Sequence, residues 1–105
     1  MGKAAALALA RRGIRIFVAD LNFKAAEETV RSLPGIPSPA EAFQVDVSRS
    51  ESVSSLFQRI KQRAERLDLL VHTAAILGRT ASMEDLNDDE WRPMTAISLD
   101  GVFCS

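Results

Sequence analysis

The order of apolar patterns along the chain constrains its fold more than any other feature. Helical segments alternate with short, predominantly apolar runs, in the order helix, strand, helix, strand, helix, strand, helix. The runs predicted as strands are 14–19, 42–45 and 69–71. Predominantly apolar strands that alternate with helices are typical of a parallel sheet covered on both faces. We therefore predict one α/β domain, residues 1–105, which begins with a helix where a doubly wound domain would begin with a strand.

Local signals predict where the later helices begin. Asn22 is a good N-cap for the second helix, and Asn87 with Glu90 three residues later resembles a capping box. Pro93 lies inside the last helical pattern, so it is expected to kink that helix or to move its start past Trp91.

Prolines and a glycine mark the connectors. Pro37 and Pro39 predict an extended link before the second strand, and Gly78 lies in a predicted polar loop.

Composition excludes several classes of function. Thirteen basic and fourteen acidic residues give a net charge of -1, which provides no electrostatic basis for binding nucleic acid. The longest apolar run, Ala4–Ala10, is far shorter than the ~20 residues of a membrane span. A single cysteine, Cys104, and a single histidine, His72, exclude an internal disulfide and any metal site built from clustered cysteines or histidines. The first residues superficially resemble a signal or transit peptide, but we interpret them as the first helix of a cytoplasmic protein.

Acidic and small residues follow all three predicted strands. Asp20 follows the first, the pair Asp46-Val47 the second, and 73–75 the third. Open α/β sheets bind ligands at this carboxyl edge, where an acid in the position of Asp20 accepts hydrogen bonds from a ribose. Gly2, at a helix start, suits a pyrophosphate. The alternatives are that the aspartates form turns or caps, with Ser48 beside Asp46, and that the small residues permit close packing.

Five stretches taken together resemble the short-chain dehydrogenase/reductase family, in the right order and spacing. They are Met1-Gly2-Lys3-Ala4, Val18-Ala19-Asp20-Leu21-Asn22, Asp46-Val47, residues 67–75, and Trp91 with residues 97–103. The resemblance implies a Rossmann-like, doubly wound parallel sheet that is partial here, because the family's first strand and its C-terminal half have no counterpart in these 105 residues.

The same resemblance implies a function and a set of site residues. The parent protein would be an oxidoreductase that interconverts an alcohol and a ketone by hydride transfer to a nicotinamide cofactor. Asp20 implies NAD rather than NADP, because a carboxylate repels the extra phosphate. Ser98 stands where the family has the asparagine of its proton relay. The cofactor-binding positions would be Met1, Gly2, Asp20, Leu21, Asp46, Val47, Thr73, Ala74 and Ala75.

Departures from the family pattern limit how far the family's residue roles can be assigned to this chain. The family's Asn-Asn-Ala-Gly is His72-Thr73-Ala74-Ala75 here, and Ser98 is shorter than the relay asparagine. Glu65 replaces a helix-ending glycine, which would cost about 1 kcal/mol if that position were left-handed. The chain contains no tyrosine, so the family's Tyr-x-x-x-Lys pair cannot be present.

The absent first strand would lie between the strands that end at Asp20 and Thr73. These two strands must then either pair directly or leave backbone groups unpaired, and we expect an inactive, marginally folded chain with weak NAD binding or none. Two other functions stay open: a non-catalytic nucleotide-binding or interaction module, and part of an extended nucleotide-sugar epimerase, which His72 and the paired alanines suggest. The sequence does not give the substrate. It leaves the oligomeric state open, although the family's last helix lies near a dimer interface.

Overall fold

The computed structural model describes residues 1–35, 40–77 and 82–104. A 3-10 turn covers Met83–Asp85, and a π-helical segment covers Ala96–Asp100. The predicted features at Pro37, Pro39 and Gly78 lie outside the described residues. The remaining elements in chain order are α1 Gly2–Ala10, β1 Phe17–Asp20, α2 Phe23–Ser32, β2 Glu41–Gln44, α3 Ser50–Arg63, α4 Asp88–Thr95 and α5 Gly101–Cys104.

The two strands form a parallel pair with α2 as the crossover between them. The register runs from Phe17 opposite Glu41 to Asp20 opposite Gln44. A further backbone hydrogen bond, from Val45 N–H to the Asp20 carbonyl at 3.0 Å, continues the ladder past the end of the strands. The predicted β-α-β unit is therefore present, and both strands point their carboxyl ends towards the same edge.

The prediction of a third strand at 69–71 was wrong for the structure described. Leu69, Leu70 and Val71 are about half exposed and belong to no strand. Within the described residues their backbone groups make no backbone hydrogen bond. An apolar run becomes a strand only when a neighbouring strand supplies the ladder. The sequence left two arrangements open for this segment, direct pairing with the strand that ends at Asp20 or unpaired backbone groups. The structure adopts the second.

Small apolar clusters hold the helices against the strand pair. Ala6 and Ala10 of α1 are buried with Ile16, which precedes β1. On β2, Phe43 is buried and packs edge-on against Phe17, with ring centroids 5.8 Å apart. The guanidinium of Arg59 lies 4.8 Å from the centre of the Phe43 ring, so α3 packs over this part of the sheet.

The helix ends test the predictions made from local sequence signals. Asn22 accepts a hydrogen bond from Ala25 N–H at 3.3 Å, and the Asn87–Glu90 capping box is complete, which confirms both predicted caps. The prediction for Pro93 was wrong in respect of the helix start, because the capping box begins α4 at Asp88 and the helix continues through the proline.

The expected cost at Glu65 does not arise. Helix α3 ends at Arg63, and the next residue, Ala64, is extended with φ -145° and ψ 142°. A chain that leaves its helix by an extended residue needs no left-handed residue at the cap. Within the described residues, only Gly13, after α1, has a positive φ, at 75°.

Candidate functional site

Asp20 is an exposed residue at the carboxyl end of β1, where it begins the turn into α2. Its Oδ1 accepts a hydrogen bond from Asn22 N–H at 2.9 Å, and Asn22 in turn caps α2. The turn-forming role that the sequence allowed is therefore present. It uses only one carboxylate oxygen, and the other accepts no hydrogen bond from the described residues.

Leu21 follows Asp20 and exposes 60% of its surface. Its carbonyl accepts a hydrogen bond from Gln44 Nε2 at 3.0 Å, which ties the turn to the end of β2. Sequence reasoning missed Gln44, because nothing local to it indicates a partner 23 residues away. The only signal was a polar residue inside an otherwise apolar run.

Asp46 lies just beyond β2, at the same edge of the sheet as Asp20. Its Oδ1 accepts two hydrogen bonds from Ser48, from the hydroxyl at 2.6 Å and from the backbone N–H at 3.0 Å. These bonds, the hydroxyl's first, together with the nearby positive charge of Arg49, lower the pKa of the Asp46 carboxyl. Asp46 is thus a turn former that keeps a stable negative charge at this edge.

Val47 is half-buried and packs against the start of α5. A β-carbon placed on Gly101 would lie 3.0 Å from Val47 Cγ2 and 3.2 Å from the Val47 carbonyl oxygen. The side chain of Val47 therefore anchors the C-terminal helical segment. Its backbone N–H makes no hydrogen bond within the described residues.

A cleft of about 370 Å³ separates β1 from the unpaired segment 67–73. Helices α1 and α3 contribute to its lining, together with residues 14–16 and Thr29 of α2, and Gly2, Asp20 and Thr73 all border it. A β-carbon on Gly2 would come within 2.7 Å of Thr73 Oγ1, so any larger residue there would require the Thr73 hydroxyl to move. The cleft brings together three of the predicted site residues, which come from three different segments.

The amino terminus of α1 faces this region with unused hydrogen-bond donors. Met1, 98% exposed, is the N-cap residue and makes no side-chain cap, and its carbonyl accepts the Ala5 N–H at 3.2 Å. The N–H groups of Gly2, Lys3 and Ala4 therefore have no acceptor within the described residues. The first turn also carries no acidic residue. Free donors and an uncompensated helix dipole suit an anion.

Other predicted positions lie apart from the cleft. Ala74 and Ala75 are exposed, and neither they nor Asp46 and Val47 belong to the described residues that line it. Ser98 is exposed on the π-helical segment and is likewise outside the lining.

His72, beside Thr73, is half-buried, and its buried Nε2 has no hydrogen-bond partner in the part of the chain that the structure describes. Within the described residues no cluster of three or more metal-ligating side chains occurs. None of the described helices has both the length and the apolar character that a membrane crossing needs.

Comparison with known proteins identifies the family. The family described as enoyl-(acyl carrier protein) reductase matches residues 1–105. The crystal structure of a short chain dehydrogenase from Bacillus anthracis str. 'Ames Ancestor' superposes with a TM-score of 0.89 at 25% identity, covering 98% of this chain and 42% of that one. The chain belongs to the short-chain dehydrogenase/reductase family. This confirms the resemblance and the partial Rossmann-like α/β fold predicted from the sequence.

Two curated relatives show how much of a longer protein the chain matches. Cyclohexanol dehydrogenase of Acinetobacter sp. (strain SE19) is 30% identical over 105 residues, which are 100% of this chain and 42% of the relative. D-threitol dehydrogenase of Mycolicibacterium smegmatis is 34% identical over 103 residues, 98% of this chain and 39% of the relative. The chain thus spans about two fifths of the length of these relatives.

Proposed function

We propose that the chain binds the adenosine half of a nicotinamide dinucleotide, with NAD preferred to NADP, in an oxidoreductase that interconverts an alcohol and a ketone. The observation that carries this proposal is the carboxylate oxygen of Asp20 that accepts no hydrogen bond from the described residues, at the cleft that Gly2 also lines. The family to which the chain belongs supports the same reading of the site.

The residues present fit such a cofactor. The free oxygen of Asp20 is an acceptor for ribose hydroxyls, and the unused N–H groups at the start of α1 are donors for a pyrophosphate. The N–H of Val47, which has no partner among the described residues, and the charged Asp46 offer a donor and an acceptor to the adenine at the same edge. Leu21 supplies exposed apolar surface beside Asp20. Met1, Thr73, Ala74 and Ala75 complete the proposed contact set.

The proposal for the reaction itself rests on the family to which the chain belongs. When bound, the nicotinamide group supplies hydride transfer. Ser98 is our candidate for holding a relay proton through its hydroxyl. Because the 105 residues include no tyrosine, we expect the chain by itself to give no NADH from any alcohol. The cytoplasmic location stays a prediction from the sequence, and whether the protein forms a homo-oligomer stays open.

The charge of Asp20 gives the proposal its sharpest test. A second negative charge a few ångströms from a carboxylate is repelled even in high dielectric, and we expect the wild-type chain to bind NAD about tenfold more tightly than NADP. Asp20→Asn keeps an oxygen for the Asn22 N–H and removes only the charge. We expect it to bring the two dissociation constants close together.

Saturation-transfer NMR titrations measure such weak affinities directly. The 105-residue chain, Asp20→Asn and the control Glu28→Gln would each be titrated with NAD and with NADP. Glu28 is an exposed carboxylate on α2, so its variant matches the change of charge away from the proposed site. Equal affinity for both cofactors in the wild-type chain, or the same effect in both variants, would refute the proposal.

A further inference from the structure

Hydrogen bonds from two directions hold the turn that carries Asp20. From within the turn, Asn22 N–H donates to Asp20 Oδ1 at 2.9 Å. From β2, Val45 N–H donates to the Asp20 carbonyl at 3.0 Å and Gln44 Nε2 donates to the Leu21 carbonyl at 3.0 Å. Among the described residues, Gln44 is thus the side chain of β2 that fixes this turn.

The contact also sets the orientation of the Gln44 amide. A carbonyl oxygen only accepts hydrogen bonds, so the nitrogen of the amide must face Leu21. Asp20 and Gln44 are register partners, and their side chains therefore leave the sheet on the same face. The donor is neutral, so it stabilises the turn without adding a charge beside the carboxylate.

We propose that Gln44 is a positioning residue for cofactor specificity, which acts by holding the Leu21 carbonyl and so fixing where the free oxygen of Asp20 points. The inference rests on the proposed function. Repulsion of a 2'-phosphate and hydrogen bonding to a ribose both depend on the position of that oxygen. When the Leu21 peptide is released, the carboxylate samples other directions and discriminates less.

The test replaces the donor by an apolar side chain of similar length. Gln44→Met removes the hydrogen bond to Leu21, and the exposed Gln62→Met on α3 is the matched control. A hydrogen bond of this kind changes an equilibrium by about threefold to tenfold. We expect Gln44→Met to lower the ratio of the NADP to the NAD dissociation constant about threefold, mainly through weaker NAD binding, while Gln62→Met leaves it unchanged.

A merely structural role would not give this pattern. Because Gln44 acts through Asp20, adding Gln44→Met to Asp20→Asn should leave the ratio at the value for Asp20→Asn alone. An unchanged ratio in Gln44→Met, or a further change in the double variant, overturns the inference. If Asp20→Asn lowers the ratio and Gln44→Met does not, only this inference fails. If Asp20→Asn has no effect, the proposed function fails with it.

Discussion

Replacing Gly101 by alanine tests whether packing or helix propensity controls the joint between α5 and the end of β2. Gly101 is buried and helical, with φ -59° and ψ -37°. Alanine is favoured over glycine by about 1 kcal/mol inside a helix. Its β-carbon, however, would lie 3.0 Å from Val47 Cγ2, 3.2 Å from Val47 Cβ and 3.2 Å from the Val47 carbonyl oxygen.

Those distances decide the sign of the effect. Carbon atoms pack best at about 3.5–4.0 Å, so the Val47 side chain must move by a few tenths of an ångström, and the contact with the Val47 carbonyl oxygen, which is backbone, is also tight. Overpacking of this kind costs about 1–3 kcal/mol. The net expectation is a loss of about 1 kcal/mol, which for a domain of this size lowers Tm by roughly 4–8 °C.

A double-mutant cycle with Val47→Ala isolates the clash. Val47→Ala removes the atom nearest to the new β-carbon, so Gly101→Ala should cost less in that background. Urea unfolding followed by circular dichroism gives the free energy of unfolding for the four chains. If Gly101→Ala were more stable than the wild type, helix propensity would outweigh packing and the reasoning would be refuted.

Three further predictions concern other described residues. Ser48→Ala removes the main cause of the lowered pKa of Asp46, so we expect that pKa to rise towards the usual carboxyl value in a ¹³C NMR titration. A carboxyl whose pKa is lower in the folded state stabilises the protein above about pH 4 and loses that contribution as the pH falls through the folded pKa. Ser48→Ala should therefore flatten the dependence of stability on pH in the acid range. An unchanged titration of Asp46 would contradict this prediction. Phe43→Leu removes the contacts of Phe43 with the Phe17 ring and the Arg59 guanidinium, and we expect the free energy of unfolding in urea to fall by about 1–2 kcal/mol. A fall below about 0.5 kcal/mol would show that these contacts contribute little to the stability of the core. Asn87→Ala removes the side-chain acceptor of the capping box and should cost about 1 kcal/mol, measured in the same way, whereas Asn87→Asp keeps the acceptor and should cost little.

Local chemistry made part of this structure predictable from the sequence. The caps at Asn22 and Asn87 depend on groups only three residues away, and both are present as predicted. The β-α-β unit follows from apolar runs on either side of an amphipathic helix, which need no distant information. The placement of Asp20 at the end of its strand follows from the same pattern.

The features that could not be predicted from the sequence depend mainly on partners far away in the chain. The segment 69–71 has the composition of a strand, but a ladder requires a neighbour, and composition does not report whether one is present. The bond from Gln44 to the Leu21 carbonyl and the fit of Gly101 against Val47 join residues far apart in the chain. The start of α4 was a conflict between two local signals, and in the structure the capping box at Asn87 sets the start while Pro93 lies inside the helix.

The open side of β1 has a consequence for the behaviour of the chain at high concentration. In the described residues β1 hydrogen-bonds to β2 along one edge only, and its other edge borders the cleft. Exposed strand edges template pairing with other molecules, especially beside apolar surface such as Leu69 and Leu70. The chain should therefore self-associate as its concentration rises, through intermolecular strands detectable by infrared spectroscopy. Refolding at high dilution should favour the monomer.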